Sequence, residues 1–104
     1  MFGLSLYRVR GASMEPTLRS GDLLLLRQRG ARHGDVVVVE HPRFGTIVKR
    51  VGADGLLQGD GEESTDASRL GKVIDAELRG VAVLVITPSG LRRPGSRSSR
   101  RAGA

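Results

Sequence analysis

Cysteine is absent from the 104 residues, which excludes disulfides, thiolate zinc sites, iron–sulfur clusters and thiol catalysis together. Aromatic residues are scarce: Phe2, Tyr7 and Phe44 are the whole set. Any core is therefore aliphatic, and the stacking platforms that hold single-stranded nucleic acid are missing. No apolar run approaches the roughly 18–20 residues that span a bilayer. The best runs, Leu23 to Leu26 and Val81 to Ile86, are strand-sized. The opening MFGLSLYRVR lacks the long apolar stretch and small-residue cleavage site of a secretory signal. The expectation is a soluble, cytoplasmic chain with no membrane span of its own, any membrane association coming through a partner.

Charge is present in both signs but unevenly placed. Of the net +6, nearly all comes from Arg92, Arg93, Arg97, Arg100 and Arg101, which follow the last acidic residue, Glu77. The segment they occupy combines Gly, Ser, Pro and Arg with almost nothing apolar, so it cannot offset its ordering entropy. Residues 92–104 are expected to form a disordered Arg-rich tail behind one domain of residues 1–91. Such a tail either attracts anionic surfaces or simply keeps the chain in solution.

The body reads as strand, punctuation, strand. Asp22 to Arg27, Asp35 to Glu40 and Thr46 to Val51 are short Leu/Val/Ile runs, each preceded by glycine (Gly21, Gly34, Gly45). A further run, Val81 to Thr87, is closed by Pro88, and Leu4, Leu6 and Val9 suit a half-buried strand. Turn signals at this spacing predict a mainly β fold. Helical periodicity is lacking, and 15 glycines disfavour long helices. Short helical turns are expected only near Pro16 to Arg19 and Asp66 to Leu70.

Most familiar chemistry is missing as well. There is no GK[ST] phosphate loop, no GxGxxG turn and no HExxH zinc motif. His33 and His41 each neighbour a turn residue and read as solvated loop positions. Asp60, Glu62, Glu63 and Asp66 form an acidic cluster without EF-hand spacing, which reads as a solvated loop, with no metal site assigned.

Lysine is the exception. Only Lys49 and Lys72 occur among 17 basic residues. Alternation along TIVKRV puts Ile47, Lys49 and Val51 on one strand face and Val48 and Arg50 on the other. If the Ile47 and Val51 face is buried, desolvation lowers the amine pKa and makes a neutral base available, which arginine cannot supply. The bland reading is an edge lysine that snorkels to water. Ser13, in GASMEPTLRSGD, lies on a tight segment between two strands. Serine needs an adjacent base to be a nucleophile, and a Ser–Lys pair is a known form of that logic. Taken alone, SMEPTL is only a turn.

Four blocks in order, GASMEPTLRSGDLLLL, GDVVVVEHP, TIVKRV and QGDGEESTDASRLGKV, resemble those of type I signal peptidases and their mitochondrial and maturation-protease relatives. The resemblance implies a small single-domain β fold of the kind shared with SOS repressors, and a serine endopeptidase needing no cofactor. It implies Ser13 as nucleophile and oxyanion donor, Met14 as part of the substrate groove, and Lys49 as general base. It further implies that Ser64 orients the lysine, that Asp66 is structural, and that Asp60 belongs to the block usually written GDN. Gly11 stands where some members place an oxyanion-hole serine, Gly61 stands where the family has asparagine, and DASR replaces the usual DSR.

The short form without an anchor most resembles the nickel-type superoxide dismutase maturation proteases. There the substrate would be a protein bearing an N-terminal propeptide or leader. Alternatives are a leader peptidase acting at a membrane, a self-cleaving SOS-type regulator, and a non-catalytic β module using its basic tail. The regulator would need a DNA-binding domain or a cleavable arm ahead of the first block, where about eight residues stand. No specific nucleic acid is expected as a partner.

Overall fold

A computed structural model describes residues 3–61 and 67–95. Seven strands follow one another: β1 (Leu4–Arg8), β2 (Leu23–Arg27), β3 (Val36–His41), β4 (Gly45–Val51), β5 (Leu57–Gln58), β6 (Glu77–Thr87) and β7 (Gly90–Arg92). One four-residue helix, α1 (Ala67–Leu70), and two 3-10 turns, Ala53–Gly55 and Val73–Asp75, interrupt them. The fold is mainly β, as the run spacing predicts.

All seven strands join one antiparallel sheet in the order β1-β2-β6-β3-β4-β5, with β7 also on β6. The 11-residue β6 is the spine: β2 takes one edge, and β3 and β7 share the other. Register shifts at Leu25/Leu26 and Val38/Val39 mark bulges, which bend and twist a sheet locally.

Both faces of the sheet are packed at its centre. Val36 and Val38 join Val9, Met14, Leu18, Leu24, Val48 and Val85 on one side. Val37 and Val39 join Val51, Leu57, Leu70 and Val81 on the other. A strand covered on both faces has no need of alternation, which is why GDVVVVE reads as a continuous apolar run. The first face is covered by the segment between β1 and β2, the second by the segment between β5 and β6.

Several expectations need correction. The residues that β1 and its continuation turn inward are Tyr7 and Val9, whereas Leu4 and Leu6 are exposed. Near Pro16 the chain makes a hydrogen-bonded turn but no helix: Leu18 N–H donates to Met14 O at 2.9 Å, and the Glu15–Pro16 peptide is cis. The last long strand begins at Glu77, four residues before the apolar run. His41 is no loop residue. It ends β3, is buried, and lies 2.7 Å through Nε2 from Leu70 O, while Nδ1 accepts from Arg43 N–H at 3.0 Å. With Nδ1 an acceptor, the proton belongs on Nε2, so His41 pins α1 onto the β3–β4 hairpin. Arg92, the first arginine of the expected tail, is part of β7 and donates to Thr17 O.

Candidate active site

β4 carries the residues that matter, and both of its faces are occupied. Lys49 is only 4% exposed and is paired in register with fully buried Val37. Its same-face neighbours, Ile47 and Val51, pack with Leu57, Leu70 and Val81. This burial lowers the amine pKa below the usual lysine value. Among the described residues, no carboxylate pairs with Lys49 and no group hydrogen-bonds it. The buried-face condition set by alternation is met.

Arg50 leaves β4 on the opposite face and is equally buried, but its surroundings are the reverse. Its Nε donates to Asp60 Oδ1 at 2.9 Å and its second terminal nitrogen to Asp60 Oδ2 at 2.8 Å. The remaining terminal nitrogen donates to Gly34 O and Gly95 O, each at 2.7 Å. Thr17 Oγ1 donates to the same Asp60 carboxylate. Asp60, expected in a solvated acidic loop, is instead a buried anion held by a forked guanidinium and a hydroxyl.

The Ser13 turn is built onto this clamp. Glu15 N–H donates to Ala12 O at 3.1 Å, and Met14, Thr17 and Leu18 are buried on either side of cis Pro16. Met14 thus belongs to the core that Val48 joins. Ser13 is half-buried, and its carbonyl accepts from Gly61 N–H at 2.9 Å. A Cβ at position 61 would lie 2.8 Å from Glu15 O and 2.9 Å from Ala12 O. That approach leaves no room for a side chain at position 61.

The chain Ser13–Gly61–Asp60–Arg50 ties the Ser13 turn to the face of β4 that carries Arg50, and no hydrogen bond joins the Ser13 and Lys49 side chains among the described residues. Lys49 leaves β4 on the face away from Arg50. β5 pairs only with Arg50 and Val51, so no described strand covers the outer edge of Gly45 to Lys49. Ser64 and Asp66 lie outside the described residues. Arg50 and Thr17 were not singled out from the sequence; the available signal was Arg50 on the face opposite Lys49, with Asp60 a short loop away.

An open groove of about 820 Å³ runs across the sheet, and neither Ser13, Met14 nor Lys49 is in its lining. Ser5, Tyr7, Arg8 and Arg10 form one wall, Thr46 the other, and Leu26, Val38 and Leu78 line it between them. Successive antiparallel pairings make β1 and β4 run in the same direction. Thr46 and Lys49 stand three positions apart on β4 and so take opposite faces of the sheet. Burial raises the Tyr7 phenol pKa, with Glu40 adding to the rise and Arg10 opposing it.

A family model described as peptidase S24-like matches residues 3–56. The chain belongs to the peptidase S24-like family. The match takes in Ser13, Met14 and Lys49 and ends before Asp60. S24-like membership agrees with the mainly β architecture and with a serine-peptidase type of function. No curated protein matches the chain, and no solved structure does. Among the described residues of this S24-like chain, no helix is long and apolar enough to cross a membrane.

Proposed function

We propose that this S24-like chain is a serine endopeptidase working through a Ser13/Lys49 dyad on an extended protein segment. The observation that carries the reading is Lys49: a buried amine without a counter-ion, on the strand adjoining the clamp that holds the Ser13 turn. In the mechanism, neutral Lys49 Nζ takes the proton from Ser13 Oγ as Oγ bonds to the scissile carbonyl carbon. The Ser13 backbone N–H stabilises the resulting oxyanion. The amine then returns the proton to the leaving nitrogen, the C–N bond breaks, and an acyl-enzyme remains. Water attacks that ester by the same route and restores Ser13.

The substrate strand lies in the groove between β1 and β4, where main-chain pairing supplies affinity and alternate side chains find the pockets. Met14 lies in the core with Leu26 and Val38 and supports the floor they give the groove. Asp60 fixes the serine turn through Gly61 and Arg50, Ser64 orients the lysine, and Asp66 supports that loop. The preferred substrate is a protein carrying a short N-terminal propeptide or leader, and a nickel-type superoxide dismutase precursor is the specific candidate.

Intact-mass analysis of such precursors, incubated with the purified chain and with Ser13→Ala, tests this. Cleavage by the first and not the second is expected; equal cleavage by both removes Ser13 from the chemistry. The S24-like match favours a second reading, cleavage in cis of a segment joined to this domain. A first-order mass change in the chain alone, independent of its concentration, would select that reading.

A further inference from the structure

The face that covers Lys49 over β3 and β4 continues bare across β1, β2, β6 and β7. Tyr7, Leu24 and Val85 lie opposite one another and point into the first core, so their strand neighbours point the other way. Those neighbours make two aliphatic rows: Leu6–Leu25–Leu84 and Leu23–Ile86–Leu91. No described segment covers them. Leu6 is 59% and Leu91 66% exposed, and the other four are half-buried.

The rim of this patch is cationic. Arg8 stands opposite Leu23, Arg27 opposite Leu4, and Arg93 lines an open cleft with Leu25 and Leu84. Among the described residues, Arg27 and Arg93 have no carboxylate partner. Asp35, which shares the cleft, is already paired with Arg29 at 3.0 Å. Three more arginines follow in the sequence at 97, 100 and 101.

We propose that this face docks on an anionic lipid surface, the leucines entering the headgroup boundary and the arginines meeting the phosphates. Charge complementarity selects that occupant. A second copy would bring a like-charged rim against this one, and the patch lacks the Trp and Tyr anchors on which specific protein interfaces rest. An aliphatic face with a basic rim needs no shape match to bind a bilayer.

Co-sedimentation of the full chain with phosphatidylcholine vesicles, with and without phosphatidylglycerol at about one lipid in four, tests this independently of peptidase activity. Binding is expected only to the anionic vesicles, and should weaken severalfold between about 0.1 and 0.5 M salt. Leu6→Ser with Leu91→Ser should lower the partition at least tenfold, since both side chains are exposed in the free protein and buried in the bound one. Arg27→Glu with Arg93→Glu should do the same and stands in if the leucine variant misfolds. Equal binding to neutral vesicles, no binding to either, or binding indifferent to the leucines overturns the proposal, the last result assigning attachment to the arginine tail. A concentration-dependent dimer abolished by the leucine changes also overturns it, naming a second copy as the occupant.

Discussion

Replacing Lys49 with methionine keeps an unbranched side chain of similar length in β4 and deletes only the charge. The site offers that charge no counter-ion: Val37 opposite and Val51 beside it are buried, and no described carboxylate pairs with it. Lys49→Met should therefore stabilise the fold at neutral pH, by about 1–2 kcal/mol as for other relieved functional sites. In a domain of this size each kcal/mol raises Tm by roughly 4–8 °C. The sign of the pH dependence follows from burial. The folded amine has a lowered pKa, so between that value and the ordinary lysine pKa of about 10.4 the unfolded chain binds the proton more tightly. Wild-type stability attributable to this group therefore rises with pH through that window. The advantage of Lys49→Met should be largest below the lowered pKa and should shrink as pH approaches 10. Calorimetry of both proteins at pH 6, 7.5 and 9.5 measures it. A variant less stable than wild type at pH 6, or an advantage that does not change with pH, would refute the reasoning that Lys49 is a desolvated, unpaired amine.

On the proposed mechanism, Lys49→Met and Lys49→Arg should each lower kcat by about 10²–10⁴-fold, and combining either with Ser13→Ala should add little, because the two groups act as a unit. A multiplicative loss in the double variant would separate them. Asp60→Ala leaves the Arg50 guanidinium buried without its anion and should destabilise by about 3–5 kcal/mol in denaturant titration. Thr17→Val, which removes one hydroxyl donor to that carboxylate, should lose about 1.5–3 kcal/mol. Gly61→Ala drives a methyl against the Ala12 and Glu15 carbonyls and should lose about 1–3 kcal/mol, with a larger effect on cleavage than on folding because the Ser13 turn must shift. If its structure shows that turn unmoved, the close approach is not a constraint.

The strands legible in the sequence are those whose pattern is local. β2, β3 and β4 announce themselves as apolar runs behind glycine, and their boundaries fall within a residue or two of the observed ones. β5 has two residues and β7 three, too few for any periodicity. The first half of β6, Glu77 to Gly80, has a mostly polar composition and is held in the sheet by pairing with β3. His41 misleads because Pro42 follows it; only α1, distant in sequence, supplies the Leu70 carbonyl that makes its burial tolerable. The site was legible to the same degree. Alternation alone assigns Lys49 its face, but linking Ser13 to Lys49 rests on family resemblance, and the clamp that ties the Ser13 turn to Arg50 through Asp60 and Gly61 is wholly nonlocal.

Consecutive buried cations on opposite faces of one strand raise a question that chemistry answers. An arginine stays protonated at any pH the fold survives, so its burial demands full compensation, and Arg50 has it: a carboxylate engaged by two nitrogens and two backbone carbonyls on the third. A lysine has another way out, because it can release its proton. Lys49 is buried to the same extent with no described partner, so burial lowers its pKa and makes the neutral amine easier to reach. Exchanging the two residue types would strand a permanent charge among Val37, Val51 and Leu57 and leave Asp60 with a single-point cation in place of a fork. The order Lys then Arg along β4 thus puts the permanent charge on the face that compensates it and the residue able to release its proton on the apolar face. Pairing Lys49 with a carboxylate would stabilise its charge and, on the proposed mechanism, remove the base.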